Sequence, residues 1–310
     1  MIFFRYKIIL HNMLFPIKNK LISFADLFIK KSQILFSGIV TILFLFISCD
    51  KIDPPYTTEN INQEPVQEEV VRNFLLEEFT GHQCPNCPEG ISTSQTLKEF
   101  YGDQLIIISI HAGFFAKPSG STFQYDFRTD AGEELNAYFG VERNPMGLVN
   151  RRQYDGSLLL GHTAWGSAIT EFTNNEPLFQ INISNQKSND DDNFDVDVTV
   201  RALQNLDDIY HLVVLVTEDR IVKPQKTNDP NVEGGVIMDF EHNHVLRKSI
   251  TNTWGDALNQ SSMSVNEQFN ESYNFSLDDD WDPANCHIIA YILNSETLEV
   301  MQAVETQLQE

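Results

Sequence analysis

The clearest sign of chemistry in the sequence is a pair of cysteines separated by two residues, Cys84 and Cys87. A CxxC pair suits thiol–disulfide exchange, because one thiolate attacks a substrate disulfide and the second thiol then resolves the mixed disulfide. A helix N-terminus favours the thiolate, since unpaired backbone N–H groups and the helix dipole stabilise its charge. We therefore predict that Cys84 is an exposed nucleophile and that Cys87, one helical turn deeper, is the resolving thiol.

Two other interpretations of the cysteine pair stay open. The pair forms half of a structural zinc site only if two more ligands lie at matching spacing, and the sequence contains no second CxxC. An inert structural disulfide also fits the spacing. We favour the redox interpretation, which requires no cofactor and no metal. We expect the remaining cysteine of the folded part, Cys286, to be a buried free thiol at the start of a strand.

The segments on either side of the cysteines predict the elements that position them. Residues 70–79 form an apolar run typical of a buried strand, residues 89–101 have helical character, and residues 105–110 form a continuous apolar strand. Strand, helix and strand in this order make a βαβ unit with the CxxC in its first turn. The elements predicted next are a helix over 131–139, a short strand over 146–150 and an amphipathic helix over 161–173.

This arrangement resembles the thioredoxin superfamily, and the resemblance implies roles for two more residues. Glu78, six residues before Cys84, matches the buried carboxylate that carries protons to the second thiol; a solvent-facing strand acid beside Glu77 is the alternative. Pro145, at the head of the short strand, matches the cis-proline that packs against the active disulfide. One departure is His82-Gln83, at the position where thioredoxins usually carry a tryptophan.

The pattern of the chain changes at Glu176-Pro177. Beyond this point apolar residues alternate with polar ones, as in residues 179–183 and 196–200, which is typical of half-buried strands. About seven such strands predict an immunoglobulin-like β-sandwich. We therefore predict an α/β thioredoxin-like domain, residues 70–176, followed by an all-β immunoglobulin-like domain, residues 177–310, each with a separate core.

The N-terminal residues predict export and lipid attachment. Lys30 and Lys31 precede residues 34–47, which are uncharged and mostly apolar. This run is shorter than a transmembrane helix of about 20 residues and fits the core of a signal peptide. It leads into Ser48-Cys49, which resembles a bacterial lipobox, so we expect cleavage before Cys49 and acylation of its thiol. A short anchor that is never cleaved is the alternative.

Residues 1–48 are therefore predicted to be a lipoprotein signal peptide. Residues 49–69 are rich in Pro, Asn, Gln and Glu and predict a solvated tether. Because the apolar core begins late, we expect the true translation start to lie downstream of Met1. An envelope location permits stable disulfides.

A wider set of motifs resembles the 28-kDa outer-membrane-protein family of Bacteroidota lipoproteins, in which a thioredoxin-like domain precedes a β-rich domain. The resemblance covers nearly all of residues 70–310. It implies a lipid-anchored protein of the outer membrane, on the periplasmic or the surface face. The motifs are LLEEFTGHQCPNCPEG at 75–90, IHAG at 110–113, DFRTDAGEELNAYFGV at 126–141, NPMGLVNR at 144–151 and HNHVLR at 242–247.

Charge and the remaining polar clusters point away from other classes of function. Asp and Glu number 44 against 21 Lys and Arg, a net charge of −23, which argues against a nucleic-acid partner. Acidic runs at 189–193 and 278–280 lack the Gly and Glu of an EF-hand loop, so we expect solvated turns rather than calcium sites. His242 and His244 would share a strand face but have no third metal ligand in the nearby sequence, and we expect them to be structural. We expect His111 to pack rather than to bind a ligand.

The sequence thus favours an outer-membrane lipoprotein that exchanges thiols and disulfides with envelope proteins, its expected partners, while Cys49 holds it to the membrane. Cys84, Cys87, Pro145 and Glu78 are the predicted site residues. The alternative is a non-catalytic binding or adhesion lipoprotein that uses the thioredoxin fold as a scaffold, because a fold does not by itself determine a function.

Overall fold

The computed structural model describes residues 70–173, 175–188 and 193–309, which belong to one compact unit. The predicted signal peptide, Cys49 and the tether lie outside the described residues, as does most of the acidic run 189–193. Within the described ranges, no helix combines the length and the apolar character needed to cross a membrane.

The elements of the first half follow the predicted order, and the second half adds strands that the sequence did not predict. The helices are α1 (Cys87–Tyr101), α2 (Asp130–Tyr138) and α3 (His162–Phe172). The strands of the first half are β1 (Phe74–Thr80), β2 (Leu105–His111) and β3 (Met146–Val149). Those of the second half are β4 (Phe179–Lys187), β5 (Asn193–Ala202), β6 (Tyr210–Glu218), β7 (Ile221–Lys226), β8 (Val236–His242), β9 (Val245–Ser249), β10 (Asp256–Ala257), β11 (Gln268–Ser276), β12 (Cys286–Asn294) and β13 (Val300–Gln307). The unpredicted strands are β7, β9 and β10.

Local sequence explains where the helices near the cysteines start. Pro88 occupies the first turn of α1, where its fixed φ suits a helix and its missing N–H costs no hydrogen bond. At the start of α2, the Thr129 hydroxyl oxygen accepts a hydrogen bond from the Gly132 N–H at 3.0 Å. This N-cap satisfies a backbone donor that the helix itself leaves unpaired.

One large sheet runs through both halves of the chain, in the order β13-β12-β6-β9-β2-β1-β3. β1 is parallel to β2 and antiparallel to β3. β9 connects the halves, because it pairs with β2 through Ser109 and Val245 and with β6 on its other side. The sheet therefore crosses the predicted boundary between residues 176 and 177.

The hydrophobic cores explain why the two segments are joined. Alternate residues of β1 and β2 face α1 and α3, and the others share a second cluster with β6 and β12. In this shared cluster Leu75 and Ile106, from the first half, lie with Leu215 and Ile289 from the second. The prediction of separate cores is therefore wrong, because strands on both sides of the boundary bury their side chains together.

The second half also packs two sheets face to face. A three-stranded sheet, β11-β5-β4, lies against the large sheet. Residues of β6 and β12 alternate between the two sides: Val214 and Ile288 face the small sheet, whereas Val213 and Ile289 face the cluster shared with the first half. This explains why these strands are apolar without interruption, since both of their faces are buried.

A separate hairpin leaves the large sheet after β6 and returns to it at β9. Its strands, β7 and β8, pair with each other and form a sheet of two strands. We call this hairpin, residues 221–242, the strap. It lies on the turn that carries the cysteines.

Candidate functional site

The two cysteines flank the start of α1 and are joined by a disulfide bond. Cys87 is the first residue of the helix, and Cys84 lies in the turn before it. In this turn the Cys84 N–H donates to the Gly81 carbonyl at 2.9 Å and the Cys87 N–H donates to the Cys84 carbonyl at 3.3 Å. The spacing thus brings the two sulfur atoms together as predicted, with the helix beginning at the second cysteine.

Both cysteines are buried. Cys84 is 1% exposed and Cys87 is 0% exposed. The prediction of an exposed Cys84 is therefore wrong for this structure. Two segments contact the turn that carries Cys84: residues 115–117 of the first half, which bond Gln83, and the strap of the second half.

The strap attaches to this turn through backbone and side-chain hydrogen bonds. The Lys226 N–H donates to the His82 carbonyl at 2.8 Å. The Gln225 side-chain amide donates to the Cys84 carbonyl at 2.9 Å. The Asn228 N–H, just past β7, donates to the Pro85 carbonyl at 3.0 Å. Gln225 is a site residue that the sequence analysis missed, because no local pattern marks it.

Glu78 lies on β1 with its carboxyl group inside the protein. It is 0% exposed, and Ser94 on α1 donates a hydrogen bond to its Oε2 atom at 2.9 Å. Its Oε1 atom has no hydrogen-bond partner among the described residues. Burial raises the pKa of Glu78 from 4.5 to about 7, against the opposing effect of the Ser94 hydroxyl. The solvent-facing alternative for Glu78 is therefore wrong.

Gly90 shows how closely Glu78 and Pro145 approach α1. A Cβ atom on Gly90 would lie 2.8 Å from the Pro145 Cβ and 3.0 Å from the Glu78 Oε1. Gly90 follows Cys87 by three residues and therefore lies on the same face of the helix. The structure thus places the predicted carboxylate and the predicted proline on one side of α1, one turn after the disulfide. The Asn144–Pro145 peptide bond is cis, as predicted.

The neighbouring Glu77 has a structural partner instead. Its carboxylate accepts two hydrogen bonds from the Arg151 guanidinium, both at 2.7 Å, and both side chains are fully buried. Arg151 also donates to the Tyr291 hydroxyl at 3.1 Å, which links β1 to β12. The pair therefore adds a buried polar link between the two halves of the sheet, beside the strand pairing through β9.

Three histidines form a buried cluster around Phe127. The Phe127 ring centroid lies 5.5 Å from His82, 4.4 Å from His111 and 4.6 Å from His242. Burial lowers the pKa of all three, to about 3 for His242 and well below its ordinary value for His111. The three imidazoles are therefore neutral at pH 7.

The structure separates His242 and His244, the histidines that the sequence suggests as a metal pair. β8 ends at His242, and His244 lies beyond it with a φ of 56°, so the two side chains do not share a strand face. Among the described residues, no group of three or more His, Cys, Asp or Glu side chains is arranged to hold a metal ion. Cys286 begins β12 as a buried free thiol, as predicted, and burial raises its pKa to about 12.

Comparison with solved structures places this chain beside two proteins of Porphyromonas gingivalis. HBP35 of that organism is similar over 78% of this chain and 77% of its own, with a TM-score of 0.59 and 19% sequence identity. This likeness shows the fold. A domain of the outer membrane lipoprotein Omp28 matches 43% of this chain and 89% of its own, at 17% identity and a TM-score of 0.29. A search of curated proteins gave no match.

The family comparison covers the second half of the chain and part of the first. The model of the outer membrane protein Omp28 matches residues 132–310, which include Pro145 and the strap but not the cysteine pair. This match spans more than half of the sequence, and the chain therefore belongs to the Omp28 family, a family of outer membrane lipoproteins, and is located at the outer membrane.

Proposed function

We propose that the protein exchanges thiols and disulfides with envelope proteins through Cys84 and Cys87. The observation that carries the proposal is the disulfide at the start of α1, with the carboxyl group of Glu78 buried against the same helix. A carboxyl group whose pKa is about 7 exchanges a proton readily at neutral pH. This is the property that a proton carrier for a thiol requires.

In the reduced protein the Cys84 thiolate attacks one sulfur of a substrate disulfide. A bond forms between Cys84 and that sulfur, and the other substrate sulfur leaves as a thiolate. Glu78 then accepts the proton of the Cys87 thiol, and the Cys87 thiolate attacks the Cys84 sulfur. The substrate leaves with both sulfurs reduced, and the Cys84–Cys87 disulfide forms. The same steps in reverse oxidise a substrate dithiol.

The fold that supports this chemistry is part of the proposal. We propose that residues 70–176 are thioredoxin-like, which is supported by the pairing of β1 with parallel β2 and antiparallel β3 and by α1 and α3 on one face. We propose that the second half is immunoglobulin-like. The packing of β11-β5-β4 on the large sheet supports that assignment.

Trapping of mixed disulfides tests the function. Reduced Cys87→Ser protein, incubated with an envelope extract, should retain partners in complexes that a thiol reductant releases, because attack occurs and resolution does not. Cys84→Ser should trap none. Cys286→Ser is the matched control and should trap no partners, since it keeps the resolving thiol. An absence of complexes with Cys87→Ser, together with no reduction of a model protein disulfide by the natural sequence, refutes the proposal.

A second candidate function follows from the burial of the disulfide. A protein that only binds partners would keep the disulfide as a permanent crosslink, and the low exposure of both cysteines favours such a role. The two functions differ in one measurement. A pair that stays oxidised in cells and resists thiol reductants in the folded protein indicates the binding lipoprotein.

We further propose that Cys49 carries the lipid anchor. The run Ile47-Ser48-Cys49 after an apolar segment supports this, and so does membership of a lipoprotein family. Cys49→Ala should move the protein from the membrane fraction to the soluble fraction or block its processing. An unchanged membrane fraction and an unchanged N-terminus would contradict the anchor.

A further inference from the structure

The strap donates two backbone hydrogen bonds to the turn that carries the cysteines. Two of its N–H groups, on Lys226 and Asn228, donate to the carbonyls of His82 and Pro85. The donors are two residues apart, the period at which an extended strand presents N–H groups to one side. The Asn228 side-chain amide also bonds the side chain of Asn86. An extended segment of the chain thus occupies the backbone next to Cys84.

One side chain fastens the strap at its centre. Gln225 is 0% exposed, and its Nε2 group donates to the Cys84 carbonyl at 2.9 Å and to the Gly81 carbonyl at 3.4 Å, as well as to the Lys226 carbonyl within the strap at 2.9 Å. Its Oε1 atom has no partner among the described residues. The amide therefore bonds the turn in which Cys84 lies, and it does so from an element that the sequence places about 140 residues away.

Both ends of the strap meet at one place. The Arg220 N–H donates to the Asn243 side-chain oxygen at 2.8 Å, and the His244 N–H donates to the Asp219 carboxylate at 2.6 Å. The two flanking strands, β6 and β9, belong to the large sheet, whereas the strap does not. Asp219 and His244 are also anchored, by hydrogen bonds with Asn285 and Ser109. Rotation at Arg220 and Asn243, between these anchors and the strap, would move the strap without breaking the ladders of the large sheet.

The strap buries few of its own residues: within β7 and β8 the buried ones are Ile221, Gln225 and His242. Ile221 lies in a small apolar cluster with Phe127 and Val245, and His242 packs against the Phe127 ring. On the strap itself, Val222 and Met238 are 53% and 61% exposed. A hairpin with few buried apolar contacts opens locally at a lower free energy than the sheet to which it is joined.

We propose that the strap is a movable cover of the Cys84–Cys87 disulfide, hinged at Arg220 and Asn243 and latched by Gln225. The cover controls access to the disulfide. The effect of the cover on the exchange of substrate disulfides rests on the proposed function, whereas the existence of the cover does not. When the strap swings away, the carbonyls of His82 and Pro85 become free to bond an extended peptide in its place.

Reduction by a phosphine tests the cover without requiring any enzymatic activity. Tris(2-carboxyethyl)phosphine attacks one sulfur and breaks the S–S bond, and water then supplies the oxygen of the phosphine oxide and the protons of the two thiols. The rate is measured on the oxidised full chain by alkylating the thiols that appear. Gln225→Ala should accelerate reduction about tenfold, equal to about 1.4 kcal/mol, the size expected for the loss of one or two hydrogen bonds.

Asn231→Ala is the matched control. Asn231 lies at the exposed tip of the hairpin and bonds Asp229 within it, so its loss leaves the latch intact. We expect its reduction rate to equal that of the natural sequence. Equal rates for Gln225→Ala and the natural sequence, with the same thermal midpoint, overturn the proposal.

Hydrogen exchange of the unaltered protein gives a second measurement, which does not depend on whether Gln225→Ala folds. The amides of Lys226 and Asn228 should exchange together and at least tenfold faster than those of β6 and β12. Protection equal to that of β6 overturns the movable cover. If the phosphine rates rise as expected but Cys87→Ser traps no partner, the cover stands and the proposed exchange fails.

Discussion

Replacement of Glu78 by glutamine tests whether burial keeps this carboxyl group protonated inside the protein. Burial raises its pKa from 4.5 to about 7. The folded protein therefore holds a proton on Glu78 at pH values where the unfolded chain has already lost it. By linkage, the resulting stability is fully present below pH 4.5 and is lost as the pH rises through 7.

The magnitude follows from the same two values. At 1.36 kcal/mol per pKa unit, the rise from 4.5 to about 7 corresponds to about 3 kcal/mol. Glutamine keeps the size of the side chain and an oxygen that accepts the Ser94 hydrogen bond, but it cannot ionise. Relative to Glu78→Gln, the natural protein should thus lose about 3 kcal/mol of unfolding free energy between pH 4 and pH 9.

Urea denaturation of the oxidised protein, measured from pH 4 to pH 9, gives this difference. Glu99→Gln is the matched control, because Glu99 lies on the exposed side of the same helix. The control should follow the pH dependence of the natural protein. Parallel curves for the natural protein and Glu78→Gln would refute the raised pKa and, with it, the proton-carrier role.

Four further predictions rest on other parts of the structure. Arg151→Met leaves the Glu77 carboxylate buried without its cation and should cost about 3–5 kcal/mol in chemical denaturation, whereas adding Glu77→Gln should recover part of this loss. Gly147→Ala places a Cβ atom 2.7 Å from the Trp165 Nε1 and should cost about 1–3 kcal/mol, measured in the same way. Burial holds the pKa of His242 near 3 in the folded protein, against 6.5 in the unfolded chain, so protonation of the unfolded chain lowers the free energy of unfolding by about 2 kcal/mol at pH 5. His242→Phe should remove this loss, measured by the same denaturation at pH 5 and pH 8. Cys286 should resist iodoacetamide in the folded protein and react after unfolding, because burial keeps its thiol protonated and covered.

The sequence predicted the elements whose patterns are local and strong. β2 is a continuous apolar run and was predicted within one residue of its observed end at His111. α1 was predicted to start at residue 89 and begins at Cys87, since Pro88 belongs to its first turn. The positions of Glu78 and Pro145 beside α1 follow from the resemblance to the thioredoxin superfamily rather than from composition or spacing.

The missed strands have no such local signal. β7 contains Pro224, and a proline within a short run argues against a strand unless the strand lies at an edge, as this one does. β9 is five residues long and ends in Arg, Lys and Ser. It forms because β2 and β6 stand on either side of it, and pairing between distant segments leaves no mark in the local sequence.

The burial of Cys84 shows why the thiol site depends on both halves of the chain. The turn that carries Cys84 accepts hydrogen bonds from Gln225 in the strap. On the strand before this turn, Glu77 accepts hydrogen bonds from Arg151, and Arg151 also bonds Tyr291 in the second half. A fragment of residues 70–176 lacks both the strap and the second half's part of the shared core, so its reduction rate would not report the access that the full chain allows. The Omp28 match includes the strap but not the cysteine pair, so membership of the family does not by itself carry the redox function. The reactivity of the cysteine pair has to be measured on the intact protein, because the second half of the chain limits the access of a substrate to the disulfide.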